Sequence, residues 1–580
     1  MIRSTLGLLV VVLPLAAACS SSSSDDGAGP SGGTPDGGVA VGEGGVPAEG
    51  GSADGAVDLP LPTGKFRVGS WCGLPGDQAS QARMDEFAAA GFTSLGGPCS
   101  GTQAADYNAK LLEYAQKSNV TVLVTDSRVA AALAGTDVDA NLAAAVADFG
   151  KSPALDGYFL GDEPGTGAFA NIAAVQTKLA ALDPVHFAYT NLLPNYASAG
   201  QLGTSSYDDY VNQFLTTVKP KLVSWDYYPF LSNGSDMDGF FSDMEVVRAH
   251  AVATKTPFFQ FIQSISYNAH RATTESEKLW EGTQSLAYGA AGVSYFTYWT
   301  PPQASESFGT GLIDPNGNET SQYAEGTRIN AKLAAWGKYL SVATSTSVFH
   351  GGGLPPGTSP RPAFAHAYVP SAATITTGTF TVNAGADEYV FVANRSYTNA
   401  SEFDLYVPTT TNGPEVLDVA SGAFTKATVA KSDANGDAIH VKLDPAGGVL
   451  VHLHGPIGDG APGAEAFVGT VRADAGTFDM IDSAFGDSAA GARGWDDPCP
   501  TGYVAGGRDF QSNGFFLCVR KDLIARTFYV GNVVADAGSL WSATNGTATS
   551  QGTAGWDTCP DGSKELGRRF ESNGFWLCLK

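Results

Sequence analysis

Between residues 65 and 345, short apolar runs alternate with longer stretches whose apolar residues recur every three or four positions. The runs are Phe66–Ser70, Phe92–Gly96, Val120–Thr125, Leu155–Leu160, His186–Asn191, Leu222–Asp226, Pro257–Ile262 and Gly292–Trp299. Short runs rich in β-branched and aromatic residues read as buried strands. Between them lie Gln78–Ala90, Ala105–Ser118, Asp137–Phe149, Asn171–Leu182, Tyr207–Val218, Met237–Thr254 and Ser276–Ala287, with Ser321–Ser341 after the last run. Their spacing collects apolar side chains on one face of a helix. Such alternation predicts an α/β fold, a (β/α)8 TIM barrel over residues 63–348. A doubly wound open sheet is the second choice, because no glycine-rich phosphate loop follows the first strand.

The period changes after residue 360. Tyr389–Val392, Phe403–Val407, Val416–Val419 and Val449–Leu453 are strand-like, and turns such as Ala434-Asn435-Gly436-Asp437 separate them. A β-sandwich of about seven strands is expected over 360–456. A Gly/Pro linker then leads into two copies of one pattern, 464–522 and 526–580. Trp495-Asp496, Cys499-Pro500, Ser512-Asn513-Gly514-Phe515 and Leu517-Cys518 return as Trp556-Asp557, Cys559-Pro560, Ser572-Asn573-Gly574-Phe575 and Leu577-Cys578. Units this small need a staple, and one disulfide in each would supply it.

Arg3 followed by the apolar run Leu6–Ala18 reads as an export signal over 1–18. Ala16-Ala17-Ala18 before Cys19 resembles the bacterial lipobox, which implies lipidation of Cys19. The Ser/Gly-rich segment 19–62 cannot bury enough apolar surface to fold and reads as a tether. The cell envelope, as an outer-membrane lipoprotein, or the medium is the expected location, with membrane contact only through the lipid. Of seven cysteines, setting Cys19 aside leaves Cys72 with Cys99, Cys499 with Cys518 and Cys559 with Cys578 as disulfide pairs. Their spacing does not resemble a zinc site, so neither metal nor cofactor is expected. A net charge of −25 from 58 acidic and 33 basic residues repels phosphate backbones, excludes nucleic acid as a partner and favours a neutral ligand. A monomer is expected.

The segment carrying chemistry is Leu155-Asp-Gly-Tyr-Phe-Leu-Gly-Asp-Glu-Pro164, an apolar strand running into two carboxylates. Strand C-termini form the active face of a TIM barrel, so Asp162 and Glu163 fall at its rim. The plain alternative is that the pair caps a helix starting near Pro164. Glycoside hydrolysis generally needs two carboxyls. Glu163 is the first candidate, as general acid/base. Asp226 at the end of strand six is the second, Asp162 the next, and Glu275 or Glu277 the last.

The fourth strand ending in an acid pair resembles the clan A glycoside hydrolases, as do Trp225-Asp226-Tyr227-Tyr228, Phe261-Ile262-Gln263-Ser264 and Tyr295-Phe296-Thr297-Tyr298-Trp299. That resemblance covers residues 65–455. It implies a carbohydrate substrate and an acid/base role for Glu163. Trp71, Trp225, Tyr227, Tyr228, Tyr298 and Trp299 fall at strand ends, where flat rings suit sugar C–H faces. Asn191, Tyr189 and Gln263 are candidate hydroxyl ligands. Two positions depart from the clan: Asp162 stands where Asn is usual, and Gln260 and Gln263 stand where strand seven carries its glutamate nucleophile. The second departure motivates an alternative, a non-catalytic glycan-binding lipoprotein on a degenerate barrel.

Overall fold

The computed structural model describes residues 66–454, apart from stretches within 100–105, 303–306, 360–371, 383–386, 411 and 434–435, and most of the strands between 466 and 580. The expected signal, tether and Cys19 lie outside the described residues. So do Trp495 and Trp556.

Eight parallel strands close into a barrel in chain order. They are β1 Arg67–Ser70, β2 Ser94–Leu95, β3 Thr121–Val124, β4 Leu155–Asp162, β5 Phe187–Leu192, β6 Val223–Trp225, β7 Phe258–Gln263 and β8 Gly292–Phe296. β1 pairs with β8, with Arg67 opposite Gly292, and this completes the ring. The outer layer comprises α1 Gln81–Ala89, α2 Tyr107–Ser118, α3 Ser127–Leu133, α4 Val138–Phe149, α5 Phe169–Leu182, α6 Ala199–Leu202, α7 Tyr207–Thr217, α8 Phe240–Thr254, α9 Glu275–Tyr288 and α10 Ser321–Leu340. The short helices α3 and α6 are additions to the expected set. They start at an Asp126 cap and a Ser198 capping box, signals too brief to show as amphipathic periods. No helix among the described residues is long and apolar enough to cross a membrane.

The floor of the barrel is polar. The Arg67 guanidinium pairs with Asp156, its Nη1 donating to Oδ1 at 2.6 Å. Ser94 accepts from Arg67 at 2.9 Å and donates to Asp156 at 2.6 Å. The rings of Phe187 and Phe259 lie 5.1 and 5.0 Å from the guanidinium carbon. Burial lowers the arginine to about 9. Only a satisfied network makes such a pair tolerable.

Nine further strands follow: β9 Thr344–His350, β10 Ile375–Val382, β11 Asp387–Asn394, β12 Ser401–Val407, β13 Glu415–Asp418, β14 Ala423–Lys426, β15 Val429–Asp433, β16 Gly436–Leu443 and β17 Gly448–Leu453. They form sheets ordered β14-β13-β17-β11-β10-β9 and β12-β16-β15. The first strand begins at Thr344, so the sandwich claims residues assigned above to the barrel's end at 348. α9 is buried along nearly its whole length because the sheet covers its outer face. Trp280, Thr283 and Gln284 bond the main chain of Arg395, Ala446 and Asn394 at 2.9, 2.9 and 3.1 Å.

The two C-terminal copies have one topology, β18–β22 ordered β20-β19-β18-β22-β21 and β23–β27 ordered β25-β24-β23-β27-β26. The strands are β18 Ala466–Thr470, β19 Gly476–Asp482, β20 Gly486–Arg493, β21 Tyr503–Asp509 and β22 Phe515–Arg520, then β23 Phe528–Asn532, β24 Gly538–Thr544, β25 Thr547–Ala554, β26 Lys564–Arg569 and β27 Phe575–Leu579. Val468, Leu517, Val530 and Leu577 belong to one shared core. All three disulfides form as paired above: Cys72–Cys99, Cys499–Cys518 and Cys559–Cys578.

Candidate active site

Alternation along a strand decides which side chains reach the barrel mouth. On β5, Phe187, Tyr189 and Asn191 share one side. On β6 and its continuation, Leu222, Ser224 and Asp226 do. Phe187, Tyr189 and Leu222 belong to the barrel interior with Trp71 and Phe159. β4 departs from strict alternation. Val122 pairs with Leu155 but Leu123 with Gly157, and Phe159 pairs with Tyr189 but Gly161 with Thr190. Each shift inserts one residue into β4. Bulges of this kind re-aim side chains near active sites. Here they let Asp156, Phe159 and Asp162 all turn inward while the Tyr158 hydroxyl bonds Asp183 outside at 2.8 Å.

At the mouth, Asn191 joins two carboxyls. Its Nδ2 donates to Asp226 Oδ1 at 2.7 Å and to Asp162 Oδ1 at 3.2 Å. Its own oxygen accepts from Ser224 at 3.1 Å, and Ser224 meets the Tyr189 hydroxyl at 2.6 Å. The nearest oxygens of Asp162 and Asp226 can be no farther apart than those two amide bonds end to end. That is inside the roughly 6.5 Å at which the inverting spacing begins. Burial, then the charge of Asp162, pushes Asp226 up to about 7. Burial of its carboxyl pushes Asp162 up to about 6, although the residue as a whole is exposed. Two carboxyls this close cannot both ionise freely.

Glu163 follows on a left-handed backbone (φ 47°), its N–H donating to the Asn191 carbonyl at 2.9 Å. The helical turns that follow are capped by other residues, the 3-10 turn Thr166–Ala168 by Gly165 and α5 by Ala168. The helix-cap alternative therefore fails. The Tyr210 hydroxyl pins the loop, donating to the Pro164 carbonyl at 2.8 Å. Glu163 and Asp226 both act electrostatically on Tyr196, whose burial and acidic neighbours raise it well above its usual value. The loop carrying Tyr196 is clamped by Asn195, whose N–H donates to Asp243 at 2.7 Å. Sequence reading missed Tyr196. Its place five residues after Asn191, in the loop following β5, was the available signal.

The aromatic candidates divide. Trp71 is half-buried at the mouth, 5.3 Å from Phe159 and 6.1 Å from Phe261. Tyr228 bonds Asp226 and lies against Tyr267, His270 and Phe296. Tyr227 stacks edge-on with Tyr196 at 5.1 Å but is itself buried. Trp225, Tyr298 and Trp299 do not reach the cleft. Trp225 turns outward onto Phe258, Tyr298 packs between Phe87 and Phe92, and Trp299 lies under Arg83. Gln263 is also unsuited to a ligand. Its oxygen accepts from Phe230 N–H at 3.1 Å, and its amide donates to the Phe230 and Arg271 carbonyls at 3.1 and 2.8 Å. Gln260 points the other way, to Tyr227 O and Ser285. Glu275 pairs with Arg328 at 2.6 Å and Glu277 with Arg271 at 2.5 Å, so neither serves the cleft.

Residues 175–336 match the family described as Glyco_hydro_42, Beta-galactosidase. The match begins after Glu163 and includes Asn191 and Asp226. No curated protein matches the chain. Among solved structures, Gan42B, a GH42 beta-galactosidase from G. stearothermophilus, is 9% identical with a TM-score of 0.46, over 68% of this chain and 99% of that one. The beta-galactosidase of the psychrophilic Marinomonas ef1 is 10% identical, TM-score 0.36, over 46% of this chain and 60% of that one. The chain thus spans less than two thirds of that relative. Xyn30A, a family 30 subfamily 8 xylanase from Clostridium acetobutylicum, is 14% identical, TM-score 0.37, over 67% and 96%. Over its barrel, the chain is similar to TIM-barrel glycoside hydrolases.

Proposed function

We propose that this protein is a glycoside hydrolase acting on a neutral sugar, with Glu163 and Asp226 as its working carboxyls. The observation that carries the reading is the Asp162–Asn191–Asp226 bridge beside Glu163 at the C-terminal mouth of the barrel. The bridged pair holds one proton and one charge near neutrality, which is what acid-assisted cleavage of a glycosidic bond requires. Asp226 keeps its proton to about pH 7, so it suits the acid that protonates the leaving oxygen. In this reading the acid is Asp226, in place of Glu163, the acid/base candidate of the sequence. Glu163 becomes the carboxylate acting on the anomeric carbon, directly or through water. Trp71 lines the sugar's path, and the buried Tyr228 holds Asp226. The β-galactoside of the matching family's description is the first substrate to try.

The test compares D226N and E163Q on nitrophenyl and alkyl β-galactosides. Each substitution should lower kcat about 10²- to 10⁴-fold on the alkyl glycoside. The nitrophenyl leaving group needs little protonation, so it should restore much of the rate to D226N and none to E163Q. Full turnover in both variants would remove the basis of the proposal. Rescue of E163Q instead would return the acid role to Glu163.

One observation favours a second reading. β7 offers the cleft no carboxyl, because Gln263 is consumed by main chain. A barrel that binds glycans without cleaving them would have this feature. Binding on prolonged incubation with no released sugar would select it.

A further inference from the structure

Away from the barrel mouth, four ionisable side chains, from β11, β13, β17 and the residue just after β17, converge on one face of the six-stranded sheet. His452 on β17 has Tyr389 of β11 opposite it on one side and Glu415 of β13 on the other. His454, two residues on, shares that face. The two imidazole centroids are 3.8 Å apart. Ligand atoms of Asp387, His452 and His454 all lie within 4.8 Å of one another.

Hydrogen bonding leaves this cluster incomplete. His452 is 9% exposed, and its Nε2 is buried without a hydrogen-bond partner. The Asp387 carboxylate stands off at 3.7 Å, beyond hydrogen-bond reach. His454 Nε2, by contrast, meets Glu415 Oε2 at 2.6 Å. Lys426, itself exposed, lies 3.6 Å from the other Glu415 oxygen. A buried ring nitrogen with no partner, aimed at a carboxylate just out of reach and beside a second imidazole, costs the fold unless something occupies the gap.

We propose that Asp387, His452 and His454 bind a divalent transition-metal ion of the zinc class, with Glu415 orienting His454. Two imidazoles and a carboxylate are the donors such ions prefer, whereas calcium and magnesium take oxygen sets. A carboxylate on a ligating histidine's other nitrogen is the usual outer support. The ion ties β11 to β17, and β13 through Glu415. It does so under the aromatic cluster by which the sheet grips the barrel. His452 packs on Tyr389 and Phe424 at 4.7 and 5.1 Å, and Tyr339 of α10 packs on the same two rings at 6.0 and 4.8 Å. The site's role is therefore to brace the sandwich against α10. It does not depend on the glycosidase reading.

The test titrates Zn²⁺ into the metal-stripped full chain by calorimetry and follows the melting temperature. One ion per chain should bind and raise the melting temperature. A chelator should reverse the rise, and Ca²⁺ and Mg²⁺ should not reproduce it. H454Q and the near-isosteric D387N should each weaken binding about 10- to 100-fold, with circular dichroism confirming that both fold. D226N, which removes a barrel carboxyl, should bind Zn²⁺ as the unsubstituted chain does. Absence of stoichiometric Zn²⁺ binding, or full affinity retained in an H452Q/H454Q double variant, would overturn the proposal.

Discussion

D226N tests the electrostatics of the barrel mouth without requiring a substrate. Asp226 is 8% exposed, and its carboxyl rises from 3.8 to about 7, first through burial and then through Asp162. A carboxyl that binds its proton more tightly folded than unfolded makes the folded state lose stability as pH rises between the two values. Here that window runs from about 4 to about 7. One pKa unit is worth about 1.4 kcal/mol, so the rise sets a ceiling of roughly 4 kcal/mol against the fold above pH 7. Asparagine keeps the shape and can still accept from Asn191 while removing the titration. Scanning calorimetry from pH 4.5 to 8.5 should therefore find D226N close to the unsubstituted chain at the acid end and more stable at the alkaline end. For a domain of this size each kcal/mol is worth about 2–4 °C, so the gap should reach several degrees. Titrations remote from the pair cancel in the difference between the two chains, and loss of the Asp226 charge also lets Asp162 ionise more readily, which adds to the stability of D226N at the alkaline end. A difference that stays flat across the range, or that favours the unsubstituted chain at pH 8, would refute the reasoning.

Other outcomes follow from the same geometry. In activity assays, kcat should fall as pH rises through about 7, where Asp226 loses its proton, and D226N should abolish that limb. R67M leaves Asp156 charged and unpaired on the barrel floor. Urea denaturation should show a loss of about 3–5 kcal/mol. Q263E restores the clan's residue type to β7 but should create no nucleophile. Its carboxylate would displace the amide from the Phe230 and Arg271 main chain and approach Glu281, which accepts from the Gln263 N–H at 3.0 Å. A loss of at least about 3 kcal/mol without gain in activity is expected. Replacing Cys72 and Cys99 together by serine, which opens a link across 27 positions of sequence, should cost about 2–4 kcal/mol in the same denaturation assay.

The linear pattern determined the barrel, because each strand and helix is long enough for its own period to show. All eight strands form where the apolar runs fall. The cysteine pairs and the C-terminal repeat were equally legible, being matters of spacing and identity. The acid segment Asp162-Glu163 stood out for its position at a strand end. Choosing among neighbours was a different problem. Trp225 and Asp226 are adjacent, so alternation sends one outward to Phe258 and the other inward to Asn191. A rule that counts every aromatic at a strand end accepts both. The bulges in β4 arise from pairing with β3 and β5 and leave no trace in β4 itself. Gln263 looked like a vacancy for a ligand until the Phe230 and Arg271 main chain came to occupy it. The ion pair of Arg67 with Asp156 and the meeting of Asp387 with His452 and His454 join residues from different strands. Periodicity records which face a residue takes within its own element. Contacts between elements depend on register and closure, and only the folded chain sets those.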